Sequence, residues 1–146
     1  MTAYDDADIA ALAERLLDRT LPKDQWTHAA HLAATLRLVR TRNEGLERDL
    51  PGIIRACNVA VGGVNDDHGG YHETITQAYL AAIRAFVADL PEGTSDARAA
   101  AALLASPLGD KAWPLTHWSR ERLFSVEARR GWVEPDLAAL PNPPAI

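Results

Sequence analysis

The chain of 146 residues has one cysteine, one methionine and no block of lysines or arginines. A single cysteine, Cys57, excludes a disulfide framework within the chain and fits a reducing compartment. It lies on an apolar stripe, where a lone thiol acts as a small hydrophobe. Without a basic block there is no stripe to track phosphates, so nucleic acid is not an expected partner. No apolar stretch is long enough to span a bilayer, so no membrane association is expected either. The opening "MTAYDDADIAALAERLLD" is acidic and amphipathic and lacks the basic start and apolar run of a signal peptide. The expected location is the cytoplasm.

Familiar catalytic signatures are also missing. There is no His-Glu-x-x-His, because Thr76 stands where the second histidine would be. There is no Glu-x-x-His, which argues against a ferritin-like di-iron centre. Neither a nucleophile-elbow Gly-x-Ser-x-Gly nor a phosphate loop occurs. The glycines of "GGVNDDHGG" follow a helix and so do not form a dinucleotide fingerprint.

What is present favours helix. Apolar residues make up 47%, alanine is abundant and the net charge is -5 with both signs interspersed. Alanine loses no side-chain freedom on entering a helix, and the mild charge favours solubility. The length suits one domain, residues 1–146, with one hydrophobic core. Asp5 and Asp6 precede Ile9, Leu12, Leu16 and Leu17, a helix start followed by helical periodicity. Thr27 reads as the N-cap of a second helix that runs to about Arg42, with Asn43 and Gly45 as its stop. A third helix is expected from near Leu50 to Val61, with Pro51 in its first turn. Gly62 to Gly70 reads as a loop. A fourth helix carries Ile75, Tyr79, Ile83 and Phe86 on one face, and Ser95 caps a short alanine-rich fifth. A loop then leads to one or two short helices in "THWSRERLFSVEARRGW", and four prolines keep the tail irregular. The expected fold is all-α: a compact single-domain bundle of five to six helices with an irregular proline-rich C-terminal tail.

Two histidine clusters are the candidates for chemistry. "WTHAAHL" holds His28 and His31, which share one helix face at a spacing of three residues. Both sit near a helix N-terminus, whose positive end disfavours a second positive charge, so neutral rings are expected. A neutral imidazole can ligate a metal, accept a proton or polarise a carbonyl. "HGGYHETIT" holds His68, His72 and Glu73, with His72 in line with Ile75 and Tyr79. Meeting in the bundle, His28, His31 and His72 with Glu73 would suit one divalent metal (zinc, iron or manganese) with an open position. The same set suits a metal-free acid/base pair of His72 and Glu73, for lyase, isomerase or hydrolase chemistry. Thr27, Tyr71, Tyr79 and Trp118 are the candidate substrate contacts, Trp118 because it neighbours His117. His68 reads as exposed. His117 reads as a late site residue or a neighbour of a helix cap. A non-catalytic ligand-binding or regulatory module with the same pocket stands beside these readings, as does a purely structural histidine network. A small-molecule ligand is the expected partner; the sequence admits a homodimer without requiring one.

"WTHAAHLAATL", "GGYHETITQAYL" and "HWSRERLFSVEARRGWVEPDLAALP" together resemble a set of small bacterial proteins of unassigned function. Those proteins share a Thr-His-x-x-His segment, a Tyr-His-Glu-Thr segment and a closing Ser-x-x-x-Leu to Glu-Pro-Asp-Leu segment. The resemblance runs from about Leu21 to Pro141. It implies that Thr27, His28, His31, Tyr71, His72, Glu73 and Thr74 matter as a group, and it gives no substrate or reaction.

Overall fold

Helix starts in this chain are set by short polar side chains that take up the N–H groups a first turn leaves over. The computed structural model, which describes residues 4–42 and 44–144, shows this at nearly every element. In α1 (Asp6–Asp18) the Asp5 carboxylate accepts from the Asp8 N–H at 2.7 Å, while the Asp8 carboxylate accepts from the Asp5 N–H at 3.0 Å. Thr27 caps α2 (His28–Thr41) through the Ala30 N–H, 3.1 Å away. The expected Asn43 stop lies outside the described residues. Gly45, at φ 75°, begins α3 (Leu46–Ala60), and His72 caps α4 (Glu73–Ala88). Serines cap the rest: Ser95 for α5 (Asp96–Ala105), Ser119 for α6 (Arg120–Leu123) and Ser125 for α7 (Val126–Arg130). The protein is all-α, with seven α-helices and no strand among the described residues.

α3 departs from expectation. It starts at Leu46, a turn earlier than Pro51 suggests, and carries Pro51 in its interior. Proline has no N–H to give the carbonyl four residues back, so Glu47 O loses its helical partner. Gln77 of α4 supplies the substitute: its Nε2 donates to Glu47 O at 3.2 Å. Arg84, seven residues on along the same face of α4, pairs with the Glu47 carboxylate. α3 and α4 are therefore joined through the residue that the proline deprives.

α2 is the central element and packs on α1, α4 and α5. Ala30, Ala33 and Ala34 keep it thin, while Leu36 and Leu38 fill the space on either side. Each buried leucine contributes roughly 2 kcal/mol of apolar transfer. Arg37 and Arg40 both reach Asp96 at the start of α5, at 2.7 and 2.8 Å. Cys57 is buried as expected, and its thiol donates to Leu16 O at 2.9 Å. The expected loop after α5 contains two single turns of 3-10 helix, at Pro107–Gly109 and Trp113–Thr116. The tail is irregular and straps across α6: His117 Nδ1–H donates to Ala138 O at 2.8 Å and Ser119 Oγ–H to Asp136 at 2.7 Å. No helix among the described residues is long and apolar enough to cross a membrane.

Candidate functional site

The faces of α2, α3 and α4 do not close fully on one another. They leave a cavity of about 350 Å³, partly open to solvent, within the size range of small-molecule sites. α2 contributes His28, His31 and Thr35, α3 contributes Ile54 and Asn58, and α4 contributes Thr76 and Tyr79. Tyr71 and His72 line it from the segment entering α4. The two histidine motifs, some forty residues apart in the chain, thus line one cavity. Among the described residues no Asp, Glu, Lys or Arg lines the cavity.

Each imidazole has its own bonding state. His72 is 7% exposed. Its Nε2 meets Leu123 O at 2.7 Å, and a carbonyl only accepts, so Nε2 carries the proton. Nδ1 then accepts from the Ile75 N–H at 3.2 Å, capping α4. Burial first, with Arg129 nearby, lowers its pKa; the Leu123 bond works the other way. Both nitrogens are committed, so the base or metal-ligand role expected of His72 has no lone pair to act through. The same argument puts the His28 proton on Nε2, which donates to Leu108 O at 2.9 Å.

His31 differs. Its ring lies against Trp26, centroids 4.7 Å apart, and its Nε2 is enclosed with no hydrogen-bond partner. Burial, helped by His28, pulls its pKa down to about 4. The ring is neutral at pH 7, and neither tautomer is imposed on it at Nε2. A buried polar atom left unpaired in this way is costly and calls for an explanation.

Tyr71 and Glu73 form a pair. The buried Tyr71 hydroxyl donates to the Glu73 carboxylate, and burial followed by this bond raises its pKa. Glu73 does not line the cavity; it stands behind Tyr71. Tyr79 packs edge-on to His28 at 5.3 Å and donates to Asp110 O at 3.3 Å. Burial raises its pKa too.

Among the described residues no three His, Cys, Asp or Glu side chains are grouped so as to hold a metal ion. The expected set of His28, His31 and His72 does not fit one, because His72 has no free nitrogen. Two expected substrate contacts are elsewhere. Thr27 is an exposed cap. Trp118 is wholly buried away from the cavity, with its N–H on Val133 O at 3.0 Å and Trp132 edge-on at 5.5 Å. His117 holds the tail and His68 is exposed.

Further residues also build the site. Asn65 accepts from Asn58 Nδ2 at 2.9 Å and from the Tyr71 N–H at 3.0 Å, which folds the glycine loop onto the end of α3. At Gly70, φ 79°, a side chain would run into Val64 O. Arg129 of α7 donates to Gly70 O at 3.0 Å and Tyr71 O at 3.2 Å, and Arg130 pairs with Asp67 at 2.7 Å. Thr74, fully buried, donates to Gly131 O at 2.8 Å and accepts from the Val133 N–H at 3.2 Å. Comparison with protein-family models, curated proteins and solved structures finds no match to this chain.

Proposed function

We propose that the protein is a small-molecule binding module whose ligand occupies the cavity between α2, α3 and α4. The observation that carries this reading is His31, a residue that lines a 350 Å³ cavity and whose Nε2 is enclosed and unpartnered. A ligand that bonds this atom removes the cost of burying it unpaired. Binding is favoured over catalysis because the expected acid/base pair is not poised. His72 is spent on a helix cap and a carbonyl, Glu73 accepts from Tyr71, and His31 is too weak a base to hold a proton near pH 7. A cytoplasmic setting, with Cys57 reduced and buried, belongs to the same reading.

One observation supports an enzymatic reading: Tyr71 lines the cavity and its hydroxyl donates to Glu73 behind it, an arrangement able to take a proton from a bound molecule through Tyr71 onto the Glu73 carboxylate. On that reading Glu73→Gln abolishes turnover of a bound compound; on the binding reading there is no turnover to abolish.

The test of the binding reading is methyl-resolved NMR with a library of small organic fragments. Fragments are expected to move the methyl signals of Leu32, Leu50, Ile54 and Ile75. Ile54→Trp, which fills the cavity, is expected to remove those shifts. Shifts that survive in the filled variant, or no shifts at all, overturn the reading.

A further inference from the structure

We infer that the ligand is an uncharged ring compound with one hydroxyl or ring N–H group, held by a hydrogen bond to His31 Nε2. This rests on the reading above that the cavity is a ligand site.

Among the described residues no Asp, Glu, Lys or Arg side chain lines the cavity. An ion taken into such a space loses its hydration and meets no counter-charge, which is far more costly than burying a neutral group. Two charges do lie near, and neither faces inward. The exposed Arg55 guanidinium sits over the Tyr71 ring, 4.8 Å from its centroid, and is not part of the lining. Glu73 lies behind Tyr71 and already accepts its hydroxyl.

The polar part of the ligand follows from hydrogen-bond accounting. His28, His72 and Tyr79 each direct a polar atom at a backbone carbonyl, and Tyr71 directs its hydroxyl at Glu73. Among the described residues two side-chain atoms are enclosed without a partner, His31 Nε2 and Gln77 Oε1, and of the two residues only His31 lines the cavity. His31 Nε2 can present a lone pair to a donor or, in the other tautomer, an N–H to an acceptor. A hydroxyl satisfies either form and a ring N–H satisfies the first. The ring shape follows from the walls, where Trp26, His31, Tyr71 and Tyr79 alternate with leucine and isoleucine. Flat apolar rings pack against such faces and edges with little loss of conformational freedom.

The experiment is a set of NMR titrations of the full chain at pH 7 with phenol, indole, toluene, benzoate and benzylamine, read at the cavity methyls. Phenol and indole are expected to bind about tenfold or more tightly than toluene, which lacks the polar group, and than the two ions. His31→Phe keeps the ring against Trp26 and removes the polar atom; it is expected to bring phenol down to the level of toluene. His31→Gln restores a hydrogen-bonding atom and is expected to recover part of the preference. Toluene binding as tightly as phenol, or a preference that survives in His31→Phe, overturns the His31 anchor. Benzoate or benzylamine binding as tightly as phenol overturns the uncharged class and makes Arg55 or Glu73 the counter-ion, while the cavity itself stands. No shift with any of the five compounds overturns the cavity reading along with the inference.

Discussion

His31 and His72 show how differently two imidazoles lining one cavity can be used. His72 is structural: it satisfies one backbone N–H of α4 and one carbonyl of Leu123. His72→Ala is expected to cost about 2 kcal/mol in urea unfolding, the sum of a lost cap and an orphaned carbonyl. His72→Asn, which keeps the cap, is expected to cost less. Equal stability of wild type and His72→Ala contradicts the assignment. His31 has a pH signature. Its folded pKa is about 4, against an ordinary value of 6.5, so between these values the unfolded chain binds more protons. Stability is then fully present above pH 6.5 and falls as pH drops towards 4, by up to about 3 kcal/mol. His72, also lowered, adds in the same direction. Unfolding measured at pH 7 and pH 4.5 is expected to show the loss in wild type and a smaller loss in His31→Phe. An equal loss in both places the titration elsewhere.

At the scale of elements, the join between α3 and α4 is the feature that shapes the cavity. Pro51 frees Glu47 O and Gln77 fills the vacancy. Gln77→Leu is expected to destabilise by roughly 1–2 kcal/mol through the orphaned carbonyl. In a Pro51→Ala background, where an N–H is restored to the helix, the same change is expected to cost less. A double-mutant cycle reads this directly, and identical costs in both backgrounds contradict it. The caps of α1, α2 and α5 are legible in the sequence because an N-cap acts within three residues of itself. The start of α3 is not, because a proline reads as a first-turn residue unless its replacement donor, 26 residues away in α4, is known. His72 misleads for a related reason. Its spacing to Ile75 and Tyr79 places it correctly on the inner face, but its partner carbonyl at Leu123 is 51 residues on. Free and spent lone pairs look alike in a sequence.

At the scale of the whole molecule, residues of both histidine motifs line one cavity between α2 and α4. The aromatic last third does something else. Trp118 is part of the hydrophobic core and Trp132 packs against it, with Trp118 bonded to Val133 O and Ser119 to Asp136. Trp118→Ala is expected to cost about 3–5 kcal/mol in unfolding experiments. At temperatures where the variant remains folded, ligand affinity is expected to stay within about twofold of wild type, a difference of less than about 0.5 kcal/mol. A large drop in affinity at preserved fold would return Trp118 to the site. The cavity is lined by His31, one of two residues among those described with a buried, unpartnered side-chain atom, and a core built only for stability fills such space.

A crystal structure of the protein grown with indole tests the central claim most directly. The account predicts indole in the cavity between α2, α3 and α4, its N–H about 3 Å from His31 Nε2. An empty cavity with His31 Nε2 bonded to another protein group, or indole bound elsewhere, would contradict it.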